Sequence, residues 1–355
     1  MGDMVKGNIA IAEAAVRAGI EVYAGYPITP STETMEYLSA RMPELGRTFI
    51  QSESELAAIN IVMGVSACGR RVLTASSGPG ISLKQEGISY MQQLNLPAVI
   101  LNVVRWGNGL GSLDASQTDY LRETRGGGNG DYRNIVLAPS TVQEGVDLIY
   151  EAFDIAEKYR TIVVVMTDSG LGQMMEPCEY PDFREITKCS WGLDGSYSVK
   201  RGNFLGRDIQ AESDAYITKV REIRENEQRW FAAGLEDAEC VFVAAGMPGR
   251  VMEGLIEEMR AEGNKVGLIR PITVWPYPDK AFAELRAMNP NVKGFITVET
   301  NGEGQMIEDV ALYAKKNGFG MVPCYAITQA CGVPKDDMVK EAFAKIVRGE
   351  KKEVF

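Results

Sequence analysis

The sequence predicts an α/β fold in which a doubly wound parallel sheet precedes a second, smaller α/β domain. Short apolar runs with little internal alternation are separated by segments of helical periodicity, a pattern typical of buried parallel strands with helices between them. A polar stretch in the middle of the chain interrupts this pattern once. The length of 355 residues is enough for about two such domains.

The first half of the chain contains five helical segments and five apolar runs rich in β-branched residues. The predicted helices are 8–18, 32–41, 55–68, 82–92 and 142–158. The predicted strands are 21–24, 71–75, 98–104, 134–137 and 161–167. Open parallel sheets bind ligands at the carboxyl ends of their strands, so the functional residues are expected in the loops that follow these strands.

The pattern changes near Gly170, where Pro177 and Pro181 precede a polar stretch. A highly charged segment at 208–231 follows, and we interpret it as a solvated connecting helix. A second α/β unit then begins, with strands predicted at 240–245, 265–269 and 294–298 and helices at 250–261, 279–288, 305–315 and 336–347. We therefore expect domains at 1–185 and 236–355, joined by a polar connector at 186–235.

The chain contains no histidine. This excludes, within the chain, a Ser-His-Asp triad, a Cys-His pair, an H-E-x-x-H zinc site and a histidine general base. Acid–base chemistry near neutral pH would need a carboxylate in a suitable environment, a cofactor or another chain. The net charge of −11 repels phosphate backbones, so no nucleic-acid partner is expected.

The cysteine spacing and the apolar runs indicate where the protein works. None of the six cysteines forms a C-x-x-C pair, which argues against a zinc ribbon and the usual iron–sulfur run. We expect mostly buried free thiols, as in a reducing cytosol. The N-terminal residues do not resemble a signal peptide, and no apolar run approaches the roughly 20 residues of a membrane span. A cytoplasmic protein without membrane contact is expected.

The loop after the first predicted strand reads Tyr-Pro-Ile-Thr-Pro-Ser-Thr from residue 26. Pro27 and Pro30 fix an extended turn and would present the Thr29 hydroxyl at a defined position. The alternative is a simple helix start, with Ser31 or a neighbour as its cap. Both interpretations stay open at this point.

An almost wholly apolar helix follows Gln-Ser-Glu-Ser-Glu at 51–55. The structural interpretation is a capping box, because Ser52 and Glu55 have the required spacing. The functional interpretation is that a carboxyl group at the mouth of an apolar helix loses water and gains proton affinity, as an acid–base group requires. The local pattern alone favours the cap.

The segment Thr-Ala-Ser-Ser-Gly-Pro-Gly at 74–80 joins a predicted strand to a helix through small residues. Small residues such as Ser76, Ser77 and Gly78 let a ligand approach the backbone, and a helix N-terminus attracts anions. The segment lacks the lysine position of a P-loop and the spacing of a dinucleotide fingerprint.

Arg105 ends the strand at 98–104 and precedes a flexible loop that contains Asn108. Its planar fork would bind a carboxylate with two hydrogen bonds, and a surface ion pair is an equal alternative. Further on, a glycine-rich loop at 125–133 carries Asn129 and Asp131. Long glycine-rich loops of this kind are often lids or substrate loops.

Four segments in this order resemble the first domain of 2-oxoacid:ferredoxin oxidoreductase α chains: residues 26–30, 51–55, 74–80 and Arg105. In the second half, residues 268–278 and 298–306 resemble stretches of that family's transketolase-C-like domain. The resemblance covers nearly the whole chain. It is nearest to the short α-type subunit of branched-chain 2-oxoisovalerate enzymes and next to the α subunit of 2-oxoglutarate enzymes.

The resemblance implies a thiamine-diphosphate pyrimidine-binding fold for the first domain and thiamine diphosphate as the cofactor. A carboxyl group hydrogen-bonded to the pyrimidine ring lets this cofactor act as its own base, which would explain a site without histidine. Glu55, and not Glu53, matches the family's glutamate by its position in the motif. Thr29 and Arg105 match the hydroxyl and the cation that the family sets near the substrate carboxylate.

The resemblance also extends these candidates to neighbouring residues. The implied catalytic residues are Glu55, Arg105 and Thr29, the implied cofactor-binding residues are Glu55, Pro27, Ile28, Thr29, Ser76, Ser77 and Gly78, and the implied substrate loop contains Asn108, Asn129 and Asp131. Relatives often carry a histidine where this loop has Asn129. Asparagine can hydrogen-bond but cannot carry a proton at neutral pH, so rate or substrate choice would differ here.

Thiamine enzymes hold the diphosphate through Mg²⁺ with a Gly-Asp-Gly run, and this chain has none, since Gly130-Asp131 is followed by Tyr132. We expect no metal site in this chain and a partner chain that holds Mg²⁺ and the diphosphate. The iron–sulfur clusters would also lie on partner chains. The implied partners are a thiamine-diphosphate/iron–sulfur chain, a γ-type chain and a ferredoxin-like chain.

The complex implied by the resemblance would oxidatively decarboxylate a 2-oxo acid, deliver the acyl group to coenzyme A and reduce ferredoxin. Ferredoxin is acidic and would dock on a partner, because this chain carries a net charge of −11. A branched-chain 2-oxo acid such as 2-oxoisovalerate is the favoured substrate. The alternatives are a 2-oxoglutarate enzyme and a non-catalytic scaffold or regulatory subunit.

Overall fold

The computed structural model describes residues 3–186, 189, 191–193 and 208–355. Helices and strands alternate along most of this part of the chain, as the sequence predicts. The strands are β1 Asp3–Lys6, β2 Val22–Gly25, β3 Thr48–Gln51, β4 Val72–Ser76, β5 Ala98–Val104, β6 Ile135–Leu137, β7 Ile162–Asp168, β8 Met175–Cys178, β9 Trp230–Ala233, β10 Cys240–Val243, β11 Val266–Pro271, β12 Thr273–Trp275, β13 Gly294–Glu299 and β14 Cys324–Thr328. The helices are α1 Gly7–Arg17, α2 Thr32–Glu44, α3 Glu55–Ala67, α4 Gly78–Gln93, α5 Tyr120–Arg125, α6 Val142–Tyr159, α7 Ser169–Gln173, α8 Ile209–Asn226, α9 Gly246–Ala261, α10 Asp279–Met288, α11 Ile307–Lys316 and α12 Asp336–Val347.

A seven-stranded sheet forms the larger layer, in the order β12-β6-β7-β5-β4-β2-β3. Its strands are parallel except β12, which runs antiparallel to β6 at the edge. Every residue of the central strands β5 and β7 is buried. Helices α2 and α6 both pack on α1, and α3 packs on α4, so that helices cover the strands. This coverage explains why the central strands are apolar without alternation.

The second sheet has five strands in the order β14-β13-β10-β11-β9. Four of them are parallel, and β9 runs antiparallel to β11 at one edge. The smaller apolar core of this sheet includes Phe242, Leu268, Val298 and Phe343. The predicted α/β class of the second half is thereby confirmed, with α9 and α12 packing against its strands.

Two short strands tie the halves of the chain together. Strand β12 follows β11 directly in sequence but joins the edge of the large sheet. Strand β9 lies in the predicted connector at 186–235 and joins the small sheet. Residues 187–188, 190 and 194–207 of that connector lie outside the described residues. The division at 1–185, 186–235 and 236–355 stays a prediction.

The charged segment is a helix, but it is shorter than the predicted 208–231. Helix α8 ends at Asn226, and Ile223 is its one buried residue among those described, so the solvated helix is confirmed. The expected end is wrong because Trp230 and Phe231 belong to β9. The chain leaves the helix there because the Arg229 backbone bonds with the second half: its N–H donates to Thr273 Oγ1 at 2.6 Å.

All six cysteines are free, as predicted. The expectation that most of them are buried is wrong: Cys178 and Cys324 are buried, whereas Cys68 is exposed. Cys68 follows the last residue of α3, where the helix reaches the surface. In the part of the chain that the structure describes, no helix combines the length and the apolar character needed to span a lipid bilayer.

Candidate active site

The carboxyl ends of β2, β3, β4 and β5 lie side by side at one edge of the large sheet, because these strands are parallel neighbours. Each strand leads into one of the predicted segments. Strand β2 precedes the 26–31 loop, β3 precedes α3, β4 precedes α4, and β5 precedes Arg105. The topology therefore brings together residues that lie far apart in sequence.

Glu55 is the first residue of α3 and is 5% exposed. The helix cap is Ser54, whose Oγ accepts a hydrogen bond from the Ala57 N–H at 3.1 Å. Ser52 points elsewhere, since its Oγ donates to the Gly25 carbonyl oxygen at 2.9 Å. The capping box of Ser52 and Glu55 is therefore wrong. A serine one residue before the helix caps it, and the Glu55 side chain is free for another use.

The Glu55 carboxyl group faces the start of α4. A Cβ atom built on Gly80 would overlap both Ser76 Oγ at the end of β4 and Glu55 Oε1. Gly80 thus leaves the space in which the carboxyl group and the serine hydroxyl approach the helix. Among the described residues, none donates a hydrogen bond to the Glu55 carboxyl group. A buried carboxyl group without a donor is costly in a protein that has no ligand for it.

Arg105 is 6% exposed, so the surface ion pair considered for it is wrong. Its guanidinium group donates to two carbonyl oxygens, from Nη1 to Thr29 at 2.7 Å and from Nη2 to Leu110 at 2.8 Å. These bonds clamp the 26–31 loop to the loop that follows β5. Gly78, at φ +45°, lies against the Nε side of the Arg105 guanidinium group, where a Cβ atom on Gly78 would lie 3.1 Å from Nε.

The 26–31 loop combines features of both of its interpretations. Ser31 takes the cap position of α2, but its Oγ donates to the Ile28 carbonyl oxygen at 2.8 Å and not to the helix. Ile28 is half-buried, and the side chains of Pro27 and Thr29 are exposed at the mouth of the site. The loop is thus an ordered turn as well as the start of a helix. Its Thr29 carbonyl oxygen accepts a hydrogen bond from Arg105 and so fixes that side chain.

Three buried side-chain atoms of predicted site residues have no hydrogen-bond partner among the described residues: Ser76 Oγ, Ser77 Oγ and Arg105 Nε. Buried polar groups are normally satisfied, and each exception needs an explanation. All three belong to residues predicted for the site, and two of them, Arg105 Nε and Ser76 Oγ, lie directly against Gly78 and Gly80, where a Cβ atom would crowd them. These unpartnered donors and acceptors, together with the Glu55 carboxyl group, fit a polar heterocyclic ligand such as an aminopyrimidine.

A buried polar cluster that sequence reasoning missed supports this edge from behind. Asn102 Nδ2 donates to Asp119 Oδ2 at 3.2 Å and to Glu123 Oε1 at 3.0 Å. Arg122 pairs with both carboxylates, and its Nη1 donates to the Gly78 carbonyl oxygen at 3.2 Å. Burial raises the pKa of Glu123 to about 7. The cluster fixes the turn that begins α4, and a sequence signal for it is the lone asparagine inside the apolar strand β5.

Lys84 is the second residue that the sequence interpretation missed. It is fully buried on α4, and its Nζ donates to Thr74 Oγ1 on β4 at 3.0 Å. Burial lowers the pKa of Lys84 to about 8, and the charge of Glu55 opposes this shift. Its spacing of four residues from Gly80 was the available signal, because residues at that spacing share one helix face.

The structure does not bring the glycine-rich loop to this edge. Ser89 Oγ donates to the Asn129 carbonyl oxygen at 2.6 Å, and Tyr216 OH donates to that of Asp131 at 3.3 Å. Ser89 lies about 16 Å along α4 from its Gly78 end. Within this chain Asn129 and Asp131 are therefore remote from Glu55 and Arg105, and their substrate role stays a prediction.

Asn108 lies closer to the candidate site than the glycine-rich loop does. It belongs to the exposed turn after Arg105, where its carbonyl oxygen accepts from the Gly111 N–H at 3.1 Å. The same turn includes Leu110, whose carbonyl oxygen binds Arg105. Its side chain is exposed to solvent.

The two segments of the second half that carry the resemblance, 268–278 and 298–306, contribute mainly to the packing of the sheets. Glu299 at the end of β13 accepts hydrogen bonds from the N–H groups of Gln305, Met306 and Ile307 and so caps α11. The next residue, Thr300, accepts from the Gln117 N–H at 2.7 Å. This contact docks the small sheet on the loop that follows β5, and thereby on the candidate site.

The fold and the site can be compared with known proteins. The family model described as pyruvate flavodoxin/ferredoxin oxidoreductase, thiamine diphosphate-binding, matches residues 13–231. The model described as pyruvate:ferredoxin oxidoreductase core domain II matches residues 238–335. The two models follow each other along the chain in the order that the resemblance predicts.

Two relatives and one solved structure agree with the family models. The chain is 48% identical to the ketoisovalerate oxidoreductase subunit VorB of Methanothermobacter thermautotrophicus, over 87% of this chain and 89% of that subunit. It is 35% identical to the 2-oxoglutarate synthase subunit KorA of Methanocaldococcus jannaschii, over 88% and 92% of the two chains. A 2-oxoglutarate:ferredoxin oxidoreductase from Magnetococcus marinus shares the fold, with a TM-score of 0.83 at 24% identity. The alignment covers 97% of this chain and 65% of that one.

The predicted family and fold class are therefore confirmed. The first model alone spans more than half of the chain, and the relatives match along most of their own length. The fold is that of a thiamine-diphosphate-binding domain followed by a smaller α/β unit. This chain belongs to the pyruvate flavodoxin/ferredoxin oxidoreductase family.

Proposed function

We propose that this chain is the α-type subunit of a 2-oxoacid:ferredoxin oxidoreductase and holds the pyrimidine half of thiamine diphosphate. The observation that carries the proposal is the buried Glu55 carboxyl group, which lacks a donor among the described residues and faces the unpartnered Ser76 Oγ. Thiamine diphosphate, when bound, supplies the nucleophilic carbon that attacks 2-oxo acids, together with its own base. With such a cofactor, the site does not need a histidine to act as the base.

The residues of this chain have distinct tasks in that site. Glu55 would hydrogen-bond the pyrimidine ring and hold or release one proton at its carboxyl oxygen. Ser76 and Ser77 would satisfy polar atoms of the ring, and Gly78 and Gly80 let Arg105, Ser76 and Glu55 approach the start of α4 closely. The half-buried Ile28 and the neighbouring Pro27 would supply an apolar contact and exclude water.

Arg105 and Thr29 would serve the substrate. Two donors of Arg105 are used to hold the loops, and its Nε is buried without a partner among the described residues. A guanidinium in this setting favours the carboxylate of a 2-oxo acid. The Thr29 side chain is exposed beside it and could donate one further hydrogen bond.

The rest of the cofactor and the redox chemistry would belong to partner chains. The sequence has no Gly-Asp-Gly run, so we assign Mg²⁺ and the diphosphate to a thiamine-diphosphate/iron–sulfur chain. We assign the iron–sulfur clusters and the contact with ferredoxin to partners as well, with a γ-type and a ferredoxin-like chain completing a cytoplasmic complex. Coenzyme A would accept the acyl group.

A branched-chain 2-oxo acid is the substrate we favour. The relative that is 48% identical is named a ketoisovalerate oxidoreductase subunit, whereas the one named a 2-oxoglutarate synthase subunit is 35% identical. Steady-state assays of the purified complex against 2-oxoisovalerate, 2-oxoglutarate and aryl 2-oxo acids separate the candidates. A higher kcat/KM for 2-oxoglutarate would overturn the branched-chain assignment and leave the family unchanged.

The role of Glu55 is tested by Glu55→Gln in the reconstituted complex. We expect turnover to fall about 100-fold or more, because the amide cannot hold the proton. Glu53→Gln is the matched control, since Glu53 is exposed and only two residues away, and it should keep turnover within about twofold. Near-normal turnover of Glu55→Gln would favour the scaffold or regulatory alternative.

A further inference from the structure

Lys84 is an unusual residue for the interior of a protein. It is fully buried, and among the described residues Thr74 Oγ1 is its single hydrogen-bond acceptor, at 3.0 Å. An ammonium group has three donors, so two of them lack a protein acceptor here. An apolar side chain could fill the same space at no cost in stability, so packing alone does not explain a lysine at this position. The charge itself therefore calls for an explanation.

The geometry relates Lys84 to Glu55. Gly80 and Lys84 lie one turn apart on the same face of α4, and Thr74 and Ser76 lie on the same face of β4. Gly80 contacts Ser76 and Glu55, and Lys84 contacts Thr74. The ammonium group thus lies one helical turn deeper than the Glu55 carboxyl group, beneath the candidate site.

Among the described residues, no other charge competes for Lys84 on the elements packed against it. Glu55 is the one charged residue of α3, and β4 and β5 have none. Strand β7 ends in Asp168, which caps α7 by accepting from the Leu171 N–H at 3.0 Å. On α4 itself Glu86 is exposed to solvent.

The buried carboxylates of α5 and the preceding loop have their own cation. Asp119 and Glu123 both form ion pairs with Arg122. Within the described part of the chain, Lys84 interacts electrostatically with Glu55 alone, and Glu55 raises the pKa of Lys84 against the effect of burial. Glu55 is therefore the one counter-charge that acts on Lys84 in the described part of the chain.

We propose that Lys84 is a positioning residue for Glu55: its buried ammonium group is the counter-charge that holds the Glu55 carboxyl group toward Ser76 and the start of α4. This inference rests on the proposed function, in which Glu55 serves the pyrimidine ring. A positive charge beneath a carboxyl group favours one orientation of that group, so the Lys84 ammonium group would hold Glu55 where the pyrimidine ring is expected.

The first test measures the pKa of Lys84 itself, in a chain that keeps Lys84, and it does not depend on enzyme activity. The Nζ signal of Lys84 is titrated by ¹⁵N NMR in the full chain, with ¹⁵N-labelled lysine and assignment by Lys84→Met. In the wild type the pKa of Lys84 is expected at about 8. Glu55→Gln removes the opposing charge and should lower it further, by about 1. An unchanged titration in Glu55→Gln would refute the pairing.

The second test uses Lys84→Met in the reconstituted complex, with Lys219→Met as the matched control. Lys219 on α8 is also a lysine whose pKa burial lowers to about 8, but it donates to Asn95 Oδ1 at 2.6 Å. We expect wild-type activity to fall as pH rises through about 8, where the pKa of Lys84 lies. Lys84→Met should reduce kcat about tenfold or more and remove that dependence on pH. Lys219→Met should leave both unchanged.

Stability separates this role from a structural one. Lys84→Met removes a buried amine, so Tm is expected to stay the same or rise while kcat falls. A Lys84→Met complex with the wild-type rate and pH profile, alongside an inactive Glu55→Gln complex, would refute the role of Lys84 and leave the proposed function intact. Full activity of both variants would instead refute the proposed function itself.

Discussion

At the scale of single residues, the candidate site depends on which side chains are left without partners. Glu55 is free because Ser54 caps α3, and Arg105 keeps one donor free while two others hold the loops. Ser76 and Ser77 are unpartnered at the end of β4 and the start of α4. A cluster of unsatisfied polar groups within one small region is more typical of a ligand site than of a core.

Gly80 offers a sharp test of this packing. Gly80→Ala would force Ser76 Oγ and Glu55 to move, so we expect a loss of stability of about 1–3 kcal/mol and at least a tenfold loss of turnover. Gly64→Ala is the control, because a Cβ at Gly64 on α3 meets nothing within 4 Å. That change should be neutral or stabilising by up to about 1 kcal/mol. Denaturant unfolding and assays of the complex measure both effects, and a harmless Gly80→Ala would contradict the close approach.

Glu123 predicts a pH dependence of stability. Its pKa in the folded chain is about 7, against an ordinary value of 4.5, so the folded state holds this proton more tightly than the unfolded state. The stabilisation is complete below about pH 4.5 and is lost as pH rises to about 7. Glu123→Gln keeps the acceptor for Asn102 and Arg122 but cannot ionise.

Thermal unfolding between pH 5 and pH 8 checks this prediction. The difference in Tm between Glu123→Gln and the wild type should grow in favour of the variant as pH rises. Glu86→Gln serves as the control because Glu86 lies exposed on α4. A difference in Tm that does not vary with pH would argue that Glu123 is ionised throughout.

At the scale of the elements, the start of α3 decides whether Glu55 is presented at all. Glu55 is the one charged residue of α3, and the rest of its first turn is apolar. No other side chain of that turn can therefore fix its position by a polar contact. The Ser54 cap satisfies the Ala57 N–H and sets the point at which the helix begins. A change at the cap should therefore affect the site through backbone order.

Ser54→Ala tests this dependence. We expect a loss of about 1 kcal/mol in the free energy of unfolding, together with a weaker affinity of the complex for thiamine diphosphate. Ser39→Ala on α2 is the control, since Ser39 is exposed and donates locally to the Glu36 carbonyl oxygen. Urea denaturation and calorimetric titration give the two quantities. Equal effects of the two substitutions would mean that the Ser54 cap is unimportant.

The local pattern was sufficient for most elements and misleading for some. The strands β4, β5 and β7 and the helices α3, α6 and α9 agree with their predicted positions to within a few residues. The sequence does not predict strands β1, β3, β8, β9, β12 and β14, because short strands at sheet edges or in a two-stranded sheet lack a continuous apolar run. Their partners lie far away in sequence, and β12 even joins a sheet other than that of its neighbour β11.

At the scale of the whole molecule, the two sheets are held together by polar contacts as well as by a shared apolar core. Gln117 donates from Nε2 to the Ala245 carbonyl oxygen at 2.9 Å and accepts at Oε1 from the Thr300 N–H at 3.1 Å. Arg270 of β11 forms a two-point ion pair with Glu144 of α6, at 2.9 and 3.0 Å. The Gln117 contacts set the small sheet against the loop that follows β5, and the Arg270 pair sets it against α6.

Gln117→Ala is expected to weaken this docking. Two backbone groups lose their partner, so the free energy of unfolding should fall by about 2 kcal/mol, and calorimetry should show a broader transition. Gln210→Ala is the control, because Gln210 is exposed on α8 and donates to the side chain of Asp214 one turn away. A single sharp transition with unchanged Tm in Gln117→Ala would show that the apolar contacts alone hold the two sheets together.

The sequence by itself determined the fold class, the family and the set of site segments. Apolar runs, the segments between strands and helices, and the order of the motifs are properties of the sequence itself, so they can be read without knowledge of the tertiary structure. The role of Glu55 was also suggested by sequence, but through resemblance, since its local pattern favoured a capping box.

Only the tertiary structure decided which of these segments meet, because contacts depend on strand order and helix packing. It brought Glu55 to Ser76 and Gly80, and it took the loop with Asn129 away from them. It also placed Lys84 beneath the site, with Thr74 of β4 as its hydrogen-bond partner. The physical reason is that burial and partnership arise between elements distant in sequence, and they alone decide whether a polar side chain is satisfied or available.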